Sequence, residues 1–291
     1  MTEPLPVPTP MRDAETNTKP LFQVPKNSCD THFHVFEPGY DTVPDPLYAF
    51  PDGNLQQYLR VLNWLGIERM VLVQPTYYGT DNSLLVDVLK KVGPQCRGVV
   101  RIEEDAPDKE LDAYHDLGVR AIRLDLFTRA SWPLEDIVAY VRRMADRARP
   151  RGWHLQFYTP GTVVRDLLPF FEDFEDVFVI DHMGYMKESD GLTQADFDRL
   201  VRVLDGGSCY IKLSGAYRIA KDKPLSSVKP LGRALVEARP NRLVWGSDWP
   251  HLLDGQRDTG ELLNLLAEWA PNAEDREEIL VKSPARLFYG D

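Results

Sequence analysis

Short apolar runs alternate along this chain with longer stretches in which apolar residues recur at helical spacing. The runs that read as strands cover residues 28–34, 69–74, 98–102, 121–126, 154–158, 177–181, 209–213 and 243–246. Several are apolar and β-branched, as parallel strands covered by helices should be. Between them the period predicts helices over 55–65, 82–92, 109–117, 134–149, 163–171, 194–204, 228–238 and 261–269, with a further closing helix over 273–281. Asp108 and Thr193 stand where N-caps belong, and Gly66, Gly93 and Gly118 stand where helices should end. Eight strand and helix pairs point to an α/β fold of the (β/α)8 TIM-barrel kind. An open doubly wound sheet would show the same alternation. The count of eight and the missing Gly-rich nucleotide loop favour the barrel. Residues 1–24 carry five prolines and little periodicity, so they read as an extended N-terminal arm on a single barrel domain spanning 25–291.

Composition narrows the partners. The length of 291 residues is normal for one barrel, and 43% apolar residues suffice for a large core. Acidic residues outnumber basic ones 45 to 34, for a net charge of −11, and no basic run offsets them. A nucleic acid would be repelled, so none is expected as a partner. Cys29, Cys96 and Cys209 match neither a zinc spacing nor a disulfide framework. No secretory pattern opens the chain and no apolar run reaches membrane-span length, so the expectation is a cytoplasmic protein without membrane contact.

In a barrel the chemistry sits at the C-terminal ends of the strands, and here those ends are rich in titratable groups. The first strand ends Asp30-Thr31-His32-Phe33-His34, and alternation puts His32 and His34 on one face. The sixth ends Asp181-His182-Met183-Gly184, and the eighth continues Gly246-Ser247-Asp248-Trp249. Taken singly, His182 could be a core histidine and Asp248 a turn cap. Four such groups at three strand ends of one barrel read better as a catalytic cluster. His115 reads as solvated on a helix, His154 as an entrance residue of its strand, and His251 as a possible support for the site.

These motifs, HxH, IDHMG and WGSDWPH, resemble the amidohydrolase superfamily. More narrowly, the chain is similar to its metal-independent lactonase branch, which acts on 2-pyrone-4,6-dicarboxylate. The likeness runs from about Asp30 to Phe288 and includes VLVQPTYYGTDN, RAIRLDLFTR, GWHLQFY and IKLSGAYR. It implies a hydrolase that opens a carboxylate-bearing lactone, with Asp248 as general base and His32, His34 and His182 stabilising the oxyanion. It also implies carboxylate binding by Arg123, Arg129 and Arg218, with Thr76 and Tyr158 facing the substrate and Tyr77 and Tyr78 closing a wall. Guanidinium forks suit that task, although Asp125 shares a strand face with Arg123 and could neutralise it.

No cofactor is expected. The superfamily's usual metal ligands after the fourth and fifth strands, a lysine or glutamate and a histidine, are replaced here by Arg123-Leu124-Asp125-Leu126 and Phe157-Tyr158. The alternative is zinc on His32, His34, His182 and Asp248, serving a lactonase for a sulfonated muconolactone or a sugar lactone. A decarboxylase of the same superfamily and a catalytically inactive binding barrel also remain open. The expected partner in the leading reading is a small anionic lactone.

Overall fold

Eight strands pair side by side in chain order, each parallel to the next. They are β1 (Cys29–Phe33), β2 (Arg69–Val73), β3 (Cys96–Val100), β4 (Val119–Asp125), β5 (His154–Tyr158), β6 (Phe178–Ile180), β7 (Cys209–Leu213) and β8 (Leu243–Trp245). The computed structural model describes residues 5–252 and 254–290. Just past the last strand the ring closes on itself. The Asp248 amide donates to the His32 carbonyl and the His34 amide to the Trp249 carbonyl, both at 2.8 Å. The expected barrel is therefore the fold observed.

Around it run α1 (Leu55–Leu65), α2 (Ser83–Val92), α3 (Asp108–Leu117), α4 (Leu134–Ala148), α5 (Gly161–Glu172), α6 (Gln194–Asp205), α7 (Ala216–Ala220), α8 (Lys229–Ala238), α9 (Thr259–Trp269) and α10 (Ala273–Glu277). Each strand turns alternate residues to these helices. Phe33, Leu72, Leu124, Phe157, Ile180, Leu213 and Trp245 are all buried in the shared core between sheet and helices. Phe33 stacks on Tyr58 of α1 with ring centroids 3.7 Å apart, which leaves His32 and His34 to face inward. Burying side chains of this size stabilises the fold by roughly 1.5–3 kcal/mol each.

Several local expectations shift. The third strand begins two residues earlier than its apolar run suggests, at Cys96. Gly98 allows this close packing, since a Cβ there would lie 3.1 Å from Leu85, Leu89 and Val119. The sixth strand shrinks to Phe178–Ile180. Thr193 caps α6 in a full capping box, whereas Asp108 lies inside the first turn of α3 and Pro107 takes the cap position without a side-chain bond. Gly66 and Gly118 end α1 and α3 in the left-handed conformation (φ 75° and 108°), and Gly93 ends α2. The closing helix α10 runs on as a wider π turn over Glu278–Lys282.

From Thr9 onward the arm lies along the loop that follows β8, while the Pro6 carbonyl accepts from the Ala49 amide in the loop after β1. Arg12 and Gly255 are joined through their backbones at 2.8 Å, and the Asp258 carboxylate accepts from Thr18. Asn17 accepts from the amide of Thr259 at the start of α9. The arm thus braces the segment just beyond Asp248. Among the described residues no helix is long and apolar enough to cross a membrane.

Candidate active site

A cavity of about 440 Å³ opens at the C-terminal ends of the strands, lined by His34, Thr76, Arg123, Tyr158, His182, Arg218 and Asp248 among others. Seven of the sequence-nominated residues line it, and His32 lies directly beneath, fully buried. Asp248 is the hub. One carboxylate oxygen, Oδ1, lies 3.8 Å from His32 Nε2 and 4.0 Å from both His34 Nε2 and His182 Nε2. That oxygen is buried and has no hydrogen-bond partner among the described residues. The other, Oδ2, accepts from Arg218 Nε at 2.6 Å and from the Tyr217 hydroxyl at 2.5 Å. Burial would raise the Asp248 pKa, but the lowering influences, led by the charge of the Arg218 guanidinium and including its hydrogen bond, together prevail and hold the group well below the usual carboxylate range.

The loops that carry these groups hold unusual backbone. His182, Met183, Tyr185, Asp248 and His251 all adopt φ between 49° and 61°, a region that side chains with a Cβ rarely occupy. Such strain persists only where surrounding structure enforces it, and here it follows β6 and β8.

Beneath the mouth lies a second polar layer. The imidazoles of His32 and His34 meet edge to face, with their Nε2 atoms 3.3 Å apart. His34 Nδ1 bonds the Val73 carbonyl oxygen at 2.7 Å, and His182 Nδ1 bonds the Ser214 hydroxyl at 2.9 Å. Lys212 is fully buried beside His32, paired with Asp181 at 3.5 Å. The histidines are neutral at ordinary pH: burial, then the Arg123 guanidinium, pushes His34 down to about 3, and burial brings His182 to about 4.

The three nominated arginines part company. Arg123 donates to the Gln74 carbonyl oxygen at 3.0 Å, packs over the Tyr158 ring at 4.4 Å, and keeps a buried Nε with no hydrogen-bond partner among the described residues. Its nearest ion pair is Asp181 at 3.9 Å. Asp125 instead accepts from Thr76 and pairs with Arg101 at 3.8 Å. Arg218 is held on Asp248. Arg129 turns away from the cavity: it donates to the Asp125 carbonyl and the Thr128 hydroxyl and packs over the Tyr140 ring.

Sequence reasoning missed Lys212 and Tyr217, although both sit in the quoted IKLSGAYR segment. It also missed Leu47 and Tyr48, which form the wall assigned to Tyr77 and Tyr78. Tyr77 stacks behind Tyr48 at 5.4 Å, and Tyr78 is buried with its hydroxyl on the Glu37 carbonyl. No periodicity marks the long loop after β1 from which that wall comes.

Comparison with known proteins places this geometry. The chain is 31% identical to a 2-pyrone-4,6-dicarboxylate hydrolase of Comamonas testosteroni over 288 residues, covering 94% of this chain and 93% of that one. It is 33% identical to a 4-sulfomuconolactone hydrolase of Rhizobium radiobacter over 287 residues, covering 96% of each. A crystal structure from Agrobacterium tumefaciens shares the fold at a TM-score of 0.80 and 24% identity, over 94% of this chain and 98% of that one. The amidohydrolase family profile matches residues 29–289, and with the histidine and aspartate cluster at the barrel mouth the chain belongs to the amidohydrolase family.

Proposed function

We propose that this chain opens a carboxylate-bearing lactone by hydrolysis, without a metal. The observation that carries the reading is that Asp248 and Arg123 line one cavity, and that Asp248 Oδ1 and Arg123 Nε have no hydrogen-bond partner among the described residues. One is an acceptor open to a water proton, and the other belongs to a guanidinium whose nearest carboxylate, Asp181, stands 3.9 Å off, beyond hydrogen-bond distance. The names of the two relatives above, both lactone hydrolases, support the same substrate class.

Water held on Asp248 Oδ1 attacks the lactone carbonyl while Oδ1 takes its proton. His32 and His182 lie beside the place where the oxyanion forms and turn Nε2 toward it as N–H donors, while His34, whose proton is held on the Val73 carbonyl, packs against His32. Collapse expels the ring oxygen, which recovers the proton from Asp248. A pyrone-like ring releases a stabilised enolate, so a weakly basic carboxylate suffices. Tyr217 and Arg218 hold the other oxygen and aim the base. Arg123, and the N–H groups of Arg218 not used on Asp248, bind the substrate's carboxylate, with Thr76 and Tyr158 at the cavity wall.

Zinc is the second reading, and His32, His34 and Asp248 offer ligand atoms close enough together for it. Ligand atoms around a tetrahedral ion with bonds of about 2.0–2.1 Å lie near the 3.3 Å that separates His32 and His34 Nε2, while Asp248 Oδ1 stands a little wider at 3.8–4.0 Å. His32, His34, His182 and Asp248 would hold the ion, which would polarise the lactone carbonyl. Three cations in the polar layers, Arg123, Lys212 and Arg218, oppose a further positive charge there. A pH-indicator assay across carboxylated, sulfonated and neutral lactones, with metal measured on the same preparation, tests the proposal. Turnover of an acidic lactone that survives exhaustive chelation is expected. Loss on chelation with rescue by zinc selects the second reading, and no turnover of any lactone overturns both.

A further inference from the structure

Lys212 has no part in the reaction described above, yet it is among the largest fully buried side chains of the protein. Its ammonium donates to the Thr31 carbonyl and to Gln156 Oε1, each at 2.8 Å. One hydrogen remains, and Nζ lies 3.2 Å from His32 Nδ1. The Asp181 carboxylate, 3.5 Å away, compensates the charge and keeps the amine an ammonium.

The neighbouring contacts decide where the imidazole protons sit. A carbonyl oxygen only accepts, so the bond from His34 Nδ1 to Val73 puts the His34 proton on Nδ1. In the neutral ring that leaves His34 Nε2 as a lone pair. His32 Nε2 stands 3.3 Å from it, and two bare nitrogens at that distance would repel. His32 must therefore carry its proton on Nε2, which leaves Nδ1 bare and in need of a donor. The remaining hydrogen of Lys212 supplies it.

We infer that Lys212 is a positioning residue that locks His32 in the Nε2–H tautomer, so that this nitrogen faces His34 Nε2 and Asp248 as a hydrogen-bond donor instead of a metal ligand. Only the effect on lactone turnover rests on the proposed hydrolysis. A competing arrangement lies close by, because Asp181 Oδ1 is 3.4 Å from the same Nδ1. If His32 donated there, its Nε2 would become a lone pair. His32 and His34 would then both present bare nitrogens beside Asp248 Oδ1, which is the donor set of a cation site. Lys212 and Asp181 thus compete for one nitrogen, and the winner sets the chemistry of the cluster.

Long-range proton–nitrogen NMR of protein labelled in its histidine rings reads the tautomer directly, without substrate. The His32 signals are assigned by their loss in His32→Gln. The wild type is expected to show His32 protonated on Nε2 and His34 on Nδ1. In Lys212→Met the His32 proton should move to Nδ1, toward Asp181. Zinc affinity, measured by competition with a chromophoric chelator, should then rise by about 10- to 100-fold, the range over which outer partners tune metal ligands. Lactone kcat should fall while KM moves little. A wild-type His32 protonated on Nδ1 overturns the inference, as does a Lys212→Met protein whose tautomer and zinc affinity are unchanged. If that variant fails to fold because Asp181 is left unpaired, the wild-type spectrum still decides. A protein that keeps the Nε2–H tautomer yet hydrolyses no lactone would sink the functional proposal and leave this one standing.

Discussion

Asp248 is held by so many partners that its substitution separates chemistry from binding. Asp248→Asn keeps the shape, and it should lower kcat by about 10²–10⁴-fold, the usual cost of a lost general base, with KM little changed. Near-normal turnover would remove Asp248 from the mechanism. The same partners fix the pH profile. Asp248 lies below the usual carboxylate range, and the line of neutral imidazoles begins to protonate only near 4 and below. The acid limb of kcat/KM should therefore fall below pH 5, where these groups change charge. A limb centred near the ordinary histidine value would show that a histidine is the base. Arg123 offers a matching test of the substrate: Arg123→Met should cost roughly 1.5–3 kcal/mol of binding, about ten- to over a hundredfold, for an acidic lactone. A neutral lactone of the same ring should lose much less, and equal losses would make Arg123 structural.

At the scale of elements, the site depends on how tightly the first and last strands meet. Beyond β8 the chain passes so near β1 that a Cβ on Gly246 would lie 2.5 Å from the His32 Cβ and 3.0 Å from its amide nitrogen. No rotamer relieves a clash with backbone. Gly246→Ala should destabilise the protein by about 1–3 kcal/mol, as overpacking does. It should also lower kcat by shifting His32, with urea unfolding and steady-state kinetics as the readouts. A variant with wild-type stability and kcat would mean the closure is looser than described. The strands themselves were legible as short apolar runs, because a parallel barrel strand is covered by a helix layer on one face and faces the barrel interior on the other. The two-residue offset of β3 was not, since it depends on Gly98 fitting against Leu85, Leu89 and Val119 from neighbouring elements.

Across the whole molecule, five buried histidines share one behaviour. His32, His34, His154, His182 and His251 are all pushed below their ordinary value, in each case chiefly by burial; His34, His154 and His251 fall to about 3 and His182 to about 4. Between those values and 6.5 the unfolded chain binds protons that the folded chain does not. Stability therefore falls as pH falls through this window, each histidine adding to the loss. Asp30, which burial raises to about 6, works in the opposite sense but is a single group. The thermal midpoint should drop steeply from pH 6.5 to 5, with or without ligand. A midpoint flat over that range would mean that these imidazoles are solvated.

The order of elements and the four strand-end residues of the cluster were written in local pattern, and the count of eight favoured the closed ring over an open sheet, which the contacts between Asp248 and His32 then closed. Periodicity and strand-end position are properties of neighbours along the chain, and a barrel converts strand ends into one place. What the tertiary structure alone decided is which partner each charged side chain finds. Arg218 meets Asp248 across 30 residues, Lys212 reaches His32 across 180, and Arg129 turns onto the loop after β4. The wall at Leu47 and Tyr48 comes from a loop without any period. Pairing of this kind depends on distances of a few ångström between segments remote in sequence, where Coulomb attraction and desolvation compete and no local pattern records the outcome.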